Sequence, residues 1–260
     1  MGTSGSFGGS GGKDAQDLRE SIAGWLDDDS STDQAADAQS VDTRNIDRLR
    51  PMIRMLANSR GSGSGGGGGS AGGSSGGGGR SSGGVARSVQ RTSRVAGRAG
   101  SLASAYAAGD RATLAAAGLN YDELIALNDP LEVGSRIAKA ALDSQSDGTF
   151  ESGEERVIVA ELIAWIIESP PDSVPRPDEV ARKSIELIIA ECSLSEVSDT
   201  LRSGPMNASE RRQVEDEIRE AAGVLAGQAS LSATGATEAE ITQAIRNGID
   251  MLVKIYGGSA

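Results

Sequence analysis

The chain has 260 residues and a formal net charge of −12, an acidic excess that favours solubility and argues against general binding to nucleic acid or anionic membranes. It contains no histidine and a single cysteine, Cys192. Those two facts exclude a histidine base, the usual nucleophilic triads, imidazole metal sites, internal disulfides and multi-cysteine clusters.

Residues 1–12 form a glycine- and serine-rich tail in which Gly2 follows Met1. Loss of Met1 would leave an α-amine with no Cβ to crowd it on a pliable leash. An α-amino group titrates at about 7.7–8.0, so an appreciable fraction is the uncharged nucleophile near neutral pH. Such an end suits entry into another protein's active site; the plainer alternative is a disordered terminus. Met1 to Ser6 also satisfies the loose N-myristoylation pattern, but little basic charge follows to supply a second membrane signal. The tail has no apolar stretch of the secretory kind, and with one cysteine this fits a reducing cytoplasm.

Residues 14–26 predict a short helix carrying Ile22, Trp25 and Leu26 on one side, followed by an acidic loop over 27–33. A second amphipathic segment, 46–56, sets Ile46, Leu49, Ile53 and Leu56 at helical spacing, with Pro51 expected to kink it. Both read as docking elements on a tether. The almost pure Gly/Ser run that follows reads as a linker. The chain therefore divides into a flexible tail with short docking helices (1–60), a linker (61–84) and a helical domain (85–260). A phosphate-binding loop is ruled out: at Gly12-Lys13-Asp14 an acidic side chain stands where a magnesium-binding hydroxyl belongs.

From Val85 onward the pattern is helical. Asp129 caps a helix opening at Pro130 and running through 131–142. Ser152 with Glu155 predicts a capping box before a helix to about residue 168, apolar on nearly every side and expected to be central. Its apolar run, 157–167, is broken by Glu161 and is too short to cross a bilayer. After the proline-rich turn 170–177, Ile185, Ile188, Ile189 and Cys192 fall at i, i+3, i+4 and i+7. Cys192 in that stripe reads as a small core residue rather than a nucleophile. Asn207 with Glu210 caps a helix whose inner face carries Val214, Ile218, Ala221 and Leu225. Thr237 with Glu240 caps the last, burying Ile241, Ile245, Ile249, Leu252 and Tyr256 before Gly257. No alternating strand pattern competes, so the fold class is all-α, a bundle of roughly six helices.

Two constellations stand out. Arg87, Arg91, Arg94 and Arg98, spaced four, three and four apart, form one basic stripe on a helix. It reads as a surface for an acidic partner or a phosphate backbone, or as a solvated face paired with acidic helices of the same domain. Asp143, Gln145, Asp147, Glu151 and Glu154 fall at positions one, three, five, nine and twelve of an EF-hand calcium loop, with Gly148 at its tight turn. Gln145 breaks the strict pattern and there is no second loop to pair with, so an ordinary helix connection is the competing reading.

The layout resembles the Qat anti-phage associated protein B (QatB) family. The residues that carry the resemblance are the start Met1 to Ser4, the glycine-rich spacers, the arginine-bearing segment after Gly84, the stretch Trp165 to Pro177, the helix Ile185 to Glu191 and the ending Ile241 to Gly257. The resemblance implies a bacterial antiviral operon that also encodes a P-loop ATPase, an enzyme similar to 7-cyano-7-deazaguanine synthase and a nuclease similar to TatD. A synthase of that type activates a carboxylate with ATP and passes it to an amine, and Gly2 offers one. The expectation is a non-catalytic, cofactor-free cytoplasmic component, conjugated at Gly2 to a 7-deazapurine, whose helical domain docks partners. The alternatives are a myristoylated membrane adaptor and a single-loop calcium-binding protein.

Overall fold

The computed structural model describes residues 13–28, 38–58, 83–143, 153–203 and 207–257. Among these there are ten α-helices and no strand: α1 Lys13–Asp28, α2 Ala38–Asn58, α3 Gly83–Ala108, α4 Arg111–Ala116, α5 Tyr121–Leu127, α6 Pro130–Asp143, α7 Gly153–Ile167, α8 Pro177–Ser203, α9 Ala208–Gln228 and α10 Glu238–Tyr256. A 3₁₀ turn, Pro171–Ser173, precedes α8. None of the described helices is long and apolar enough to cross a membrane.

Local chemistry fixes where the helices begin. Asp129 Oδ1 accepts from the Leu131 amide at 2.9 Å, and both capping boxes, Asn207 with Glu210 and Thr237 with Glu240, are formed. These contacts satisfy amides that the first helical turn leaves without partners. Asp110 and Asn120 cap α4 and α5 in the same way, two short helices that the apolar spacing does not announce. At the other end of α9, Arg182 Nη1 donates to the carbonyls of Ala226, Gly227 and Ala229.

The central position belongs to α3, which packs against α6, α7, α8 and α10. Its buried face is built of small side chains, Ala96, Ala99 and Ala103 among them, with Val95 and Leu102. At Gly97 a Cβ would collide with Thr242 Oγ1 and lie 2.9 Å from the Thr242 amide nitrogen, so α10 approaches as closely as it does because glycine stands there. Helix α7, expected at the centre, instead flanks it. Its Ile158, Val159, Leu162, Ile163 and Ile166 are buried, whereas Val157 is exposed and Trp165 half-buried.

The docking segments of the N-terminal region dock on the chain's own bundle. Helices α1 and α2 pack on each other, α1 on α8, and α2 on α9 and α10. Leu18 and Ile22, with Leu49, Met52, Ile53 and Leu56, are fully buried in the same core as α3 to α10. Each such side chain contributes at most about 1.5–3 kcal/mol. Arg54 lies 3.6 Å from Asp14 and 3.7 Å from Asp17, tying α2 to α1, and Arg19 meets Glu196 of α8 at 2.5 Å. The helix α2 continues past Pro51, which is itself buried. Helix α3 opens at Gly83, within the segment read as linker.

Candidate functional site

The arginine stripe lies on α3, and the fold divides it. Arg91 Nη2 meets the Glu155 carboxylate at 3.0 Å, and Glu155 is 2% exposed. Thr92 Oγ1 donates to the other oxygen of that carboxylate at 3.5 Å. Arg98 donates through Nε to the Ala140 carbonyl and through Nη1 to Glu238 Oε2, both at 3.2 Å. Arg91 and Arg98 thus fasten α3 to α7, α6 and α10 and are not free for an external partner. Arg94 is exposed, while the side chain of Arg87 lies outside the described residues. The basic surface left on the described part of the stripe is that of Arg94. Glu155, read as the capping partner of Ser152, which lies outside the described residues, is the buried counter-ion of Arg91.

Only the two ends of the calcium-loop pattern fall within the described residues, since Gln145, Asp147 and Glu151 lie outside them. Asp143 closes α6 and is exposed. Glu154, assigned to the twelfth position, accepts from Ser195 Oγ of α8 at 2.7 Å, so the structure places it at the α7–α8 contact. Among the described residues no group of three or more potential metal-binding side chains is gathered.

An unforeseen charged cluster lies where α7, α8 and α9 meet. Arg219 of α9 sits 2.8 Å from Glu191 of α8 and 3.9 Å from Glu161 of α7. Burial raises the Glu191 carboxyl above its ordinary value; Arg219 opposes that rise, and Glu161, Glu154 and Glu215 add to it. Burial, reinforced by Glu154 and Glu191, pushes the adjacent Cys192 thiol up to about 12. A thiol held that high stays protonated near neutral pH and is a poor nucleophile. The sequence carries Glu191 and Arg219 as ordinary surface-type residues; their pairing depends on how three helices stack, for which no local spacing is a signal.

Gly2 lies outside the described residues; the first of those, Lys13, opens α1. No protein-family model, curated protein or solved structure matches this chain.

Proposed function

We propose that this chain is a non-catalytic component of a bacterial Qat-type anti-phage complex, modified at Gly2 by a synthase-like partner with a 7-deazapurine. The observation that carries the reading is the pairing of a glycine amine on a Gly/Ser leash with a root, α1, that is packed into the helical body. A free end reaches an active site while the body holds the complex. Resemblance of the layout to the QatB family supplies the identity of the partners: the synthase-like protein, a P-loop ATPase of the same operon and a TatD-like nuclease. The exposed Arg94 on α3 belongs to the surface on which such partners dock. The total lack of histidine, and a thiol whose ionisation burial suppresses, favour an adaptor over an enzyme.

Intact-mass and N-terminal peptide spectrometry on protein expressed with its operon neighbours tests this. The expected result is loss of Met1 and a purine-like mass on Gly2 that disappears when the synthase-like gene is deleted. An unmodified Gly2 beside an active synthase-like partner overturns the conjugation, and a myristoyl mass replaces it with the membrane-adaptor reading.

A further inference from the structure

Helices α1 and α2 hold their shape by docking. Pro51 lies inside α2 and has no amide hydrogen, so the Asp47 carbonyl one turn earlier receives no helical bond from it. Helix α2 nevertheless runs on past this defect, with Ile46 and Leu49 buried before it and Met52, Ile53 and Leu56 buried after it. Helices of this length owe most of their stability in water to tertiary packing. Lifted off α9 and α10, α2 keeps its weak point and loses what offsets it. Helix α1 packs on α2, with Arg54 3.6 Å from Asp14 and 3.7 Å from Asp17, so the two gain and lose their order together.

The reverse dependence is weaker, because α3 to α10 close on one another. A Cβ added at Gly97 of α3 would meet Thr242 of α10, one at Gly100 would meet Val180 of α8, and one at Gly248 of α10 would meet Ile185 of α8. Arg91 with Glu155 and Arg98 with Glu238 also join helices of this body to each other. None of its helices runs on into α1 or α2: the chain between them is 59–82, whose Gly/Ser composition is that of a tether. We infer that the α1–α2 hairpin is a latch that opens as a unit while α3 to α10 stay folded, the sub-global opening typical of a supersecondary unit with its own cooperativity. Opening uncovers its seat on α8, α9 and α10 and moves the root of the N-terminal tail from Lys13 to Gly83. A chain of coil dimensions spans about 20 Å on average over residues 1–12 and about 50 Å over 1–82, so the latch sets how far Gly2 reaches. That consequence rests on the conjugation proposed above, whereas the opening is a property of the fold.

Native-state hydrogen exchange of the full chain, read helix by helix, tests the latch. The amides of α1 and α2 are expected to exchange as one set, at least about tenfold faster than the slowest amides of α3 and α8. Two conservative core variants separate the openings, each shifting an opening equilibrium about fivefold. Ile53→Val, in α2, speeds both sets, because unfolding of the body includes release of the hairpin. Ile163→Val, on α7 where it faces Gly134 of α6, speeds the α3 and α8 set by the same factor and leaves α1 and α2 unchanged. A fivefold gain for α1 and α2 in Ile163→Val, or one common rate for all four helices, shows that the hairpin opens only with the whole molecule and overturns the inference. Exchange of α1 independently of α2, or a complete lack of protection in both, overturns it too. An unmodified Gly2 in the mass spectrum leaves these rates as they are and bears on the conjugation alone.

Discussion

Replacing Arg91 with alanine would remove the guanidinium that lies 3.0 Å from the Glu155 carboxylate, which is buried beneath α3. Removing one member of a buried pair costs about 3 kcal/mol or more, whereas an exposed side chain such as Arg94 changes stability by less than about 0.5 kcal/mol when truncated. Urea unfolding of Arg91→Ala and Arg94→Ala should separate the two by that margin; equal midpoints would show that both arginines are solvated. Glu191 offers a second test, through pH. Its raised carboxyl keeps a proton that the unfolded chain has already released, so the native state binds more protons and stability falls as pH rises through the window above the ordinary value of 4.5. Below that window both states are protonated and the penalty vanishes. Glu191→Gln retains an acceptor for Arg219 and has no proton to lose. The stability of the variant relative to the parent should therefore rise between pH 4.5 and pH 8; the depressed Asp110, Asp122 and Glu240 carboxyls are common to both proteins and cancel. A flat difference would mean that Glu191 is solvated.

At the level of elements, what could be read in the sequence is what depends on neighbours within four residues. Asp129 before Pro130, Asn207 with Glu210 and Thr237 with Glu240 mark helix starts because capping contacts close within the first turn. The inner faces of α9 and α10 are legible for the same reason: Val214, Ile218 and Leu225, or Ile241, Ile245 and Ile249, repeat at the helical period and are all buried. Helices α4 and α5 escape because six or seven residues give the period too little length to show. The centrality of α3 escapes because its buried surface is alanine, glycine and serine, which look polar or neutral in a pattern of large apolar residues. It is buried by close approach at Gly97 rather than by bulk. The arginine spacing was visible, but Glu238, the partner of Arg98, lies 140 residues away in sequence. Separation of that size is set by packing and leaves no local trace, and the same holds for Arg219 with Glu191.

For the whole molecule, the decisive relation is between the α1–α2 hairpin and the bundle it covers. Four large side chains of α2 are fully buried, Arg19 meets Glu196 of α8, and the Arg50 guanidinium stands 5.7 Å from the Tyr256 ring centre on α10. Chain continuity between hairpin and bundle runs only through residues 59–82, whose composition is that of a flexible Gly/Ser tether. A tether of roughly 25 such residues spans about 25–30 Å on average and holds its two ends at an effective concentration of about 1 mM. If the hairpin is held by its contacts, cutting the tether should leave the two parts associated. Their stability should then depend on concentration, falling by about 4 kcal/mol at micromolar protein because each tenfold dilution below 1 mM costs about 1.4 kcal/mol. A protease site placed within 59–82 of the full chain allows the test by size exclusion and by melting at several concentrations. Co-elution with a concentration-dependent Tm is the expected outcome. Separate elution, with the body's Tm unchanged, would show that the hairpin adds nothing to the fold and that α1 is not anchored to the bundle.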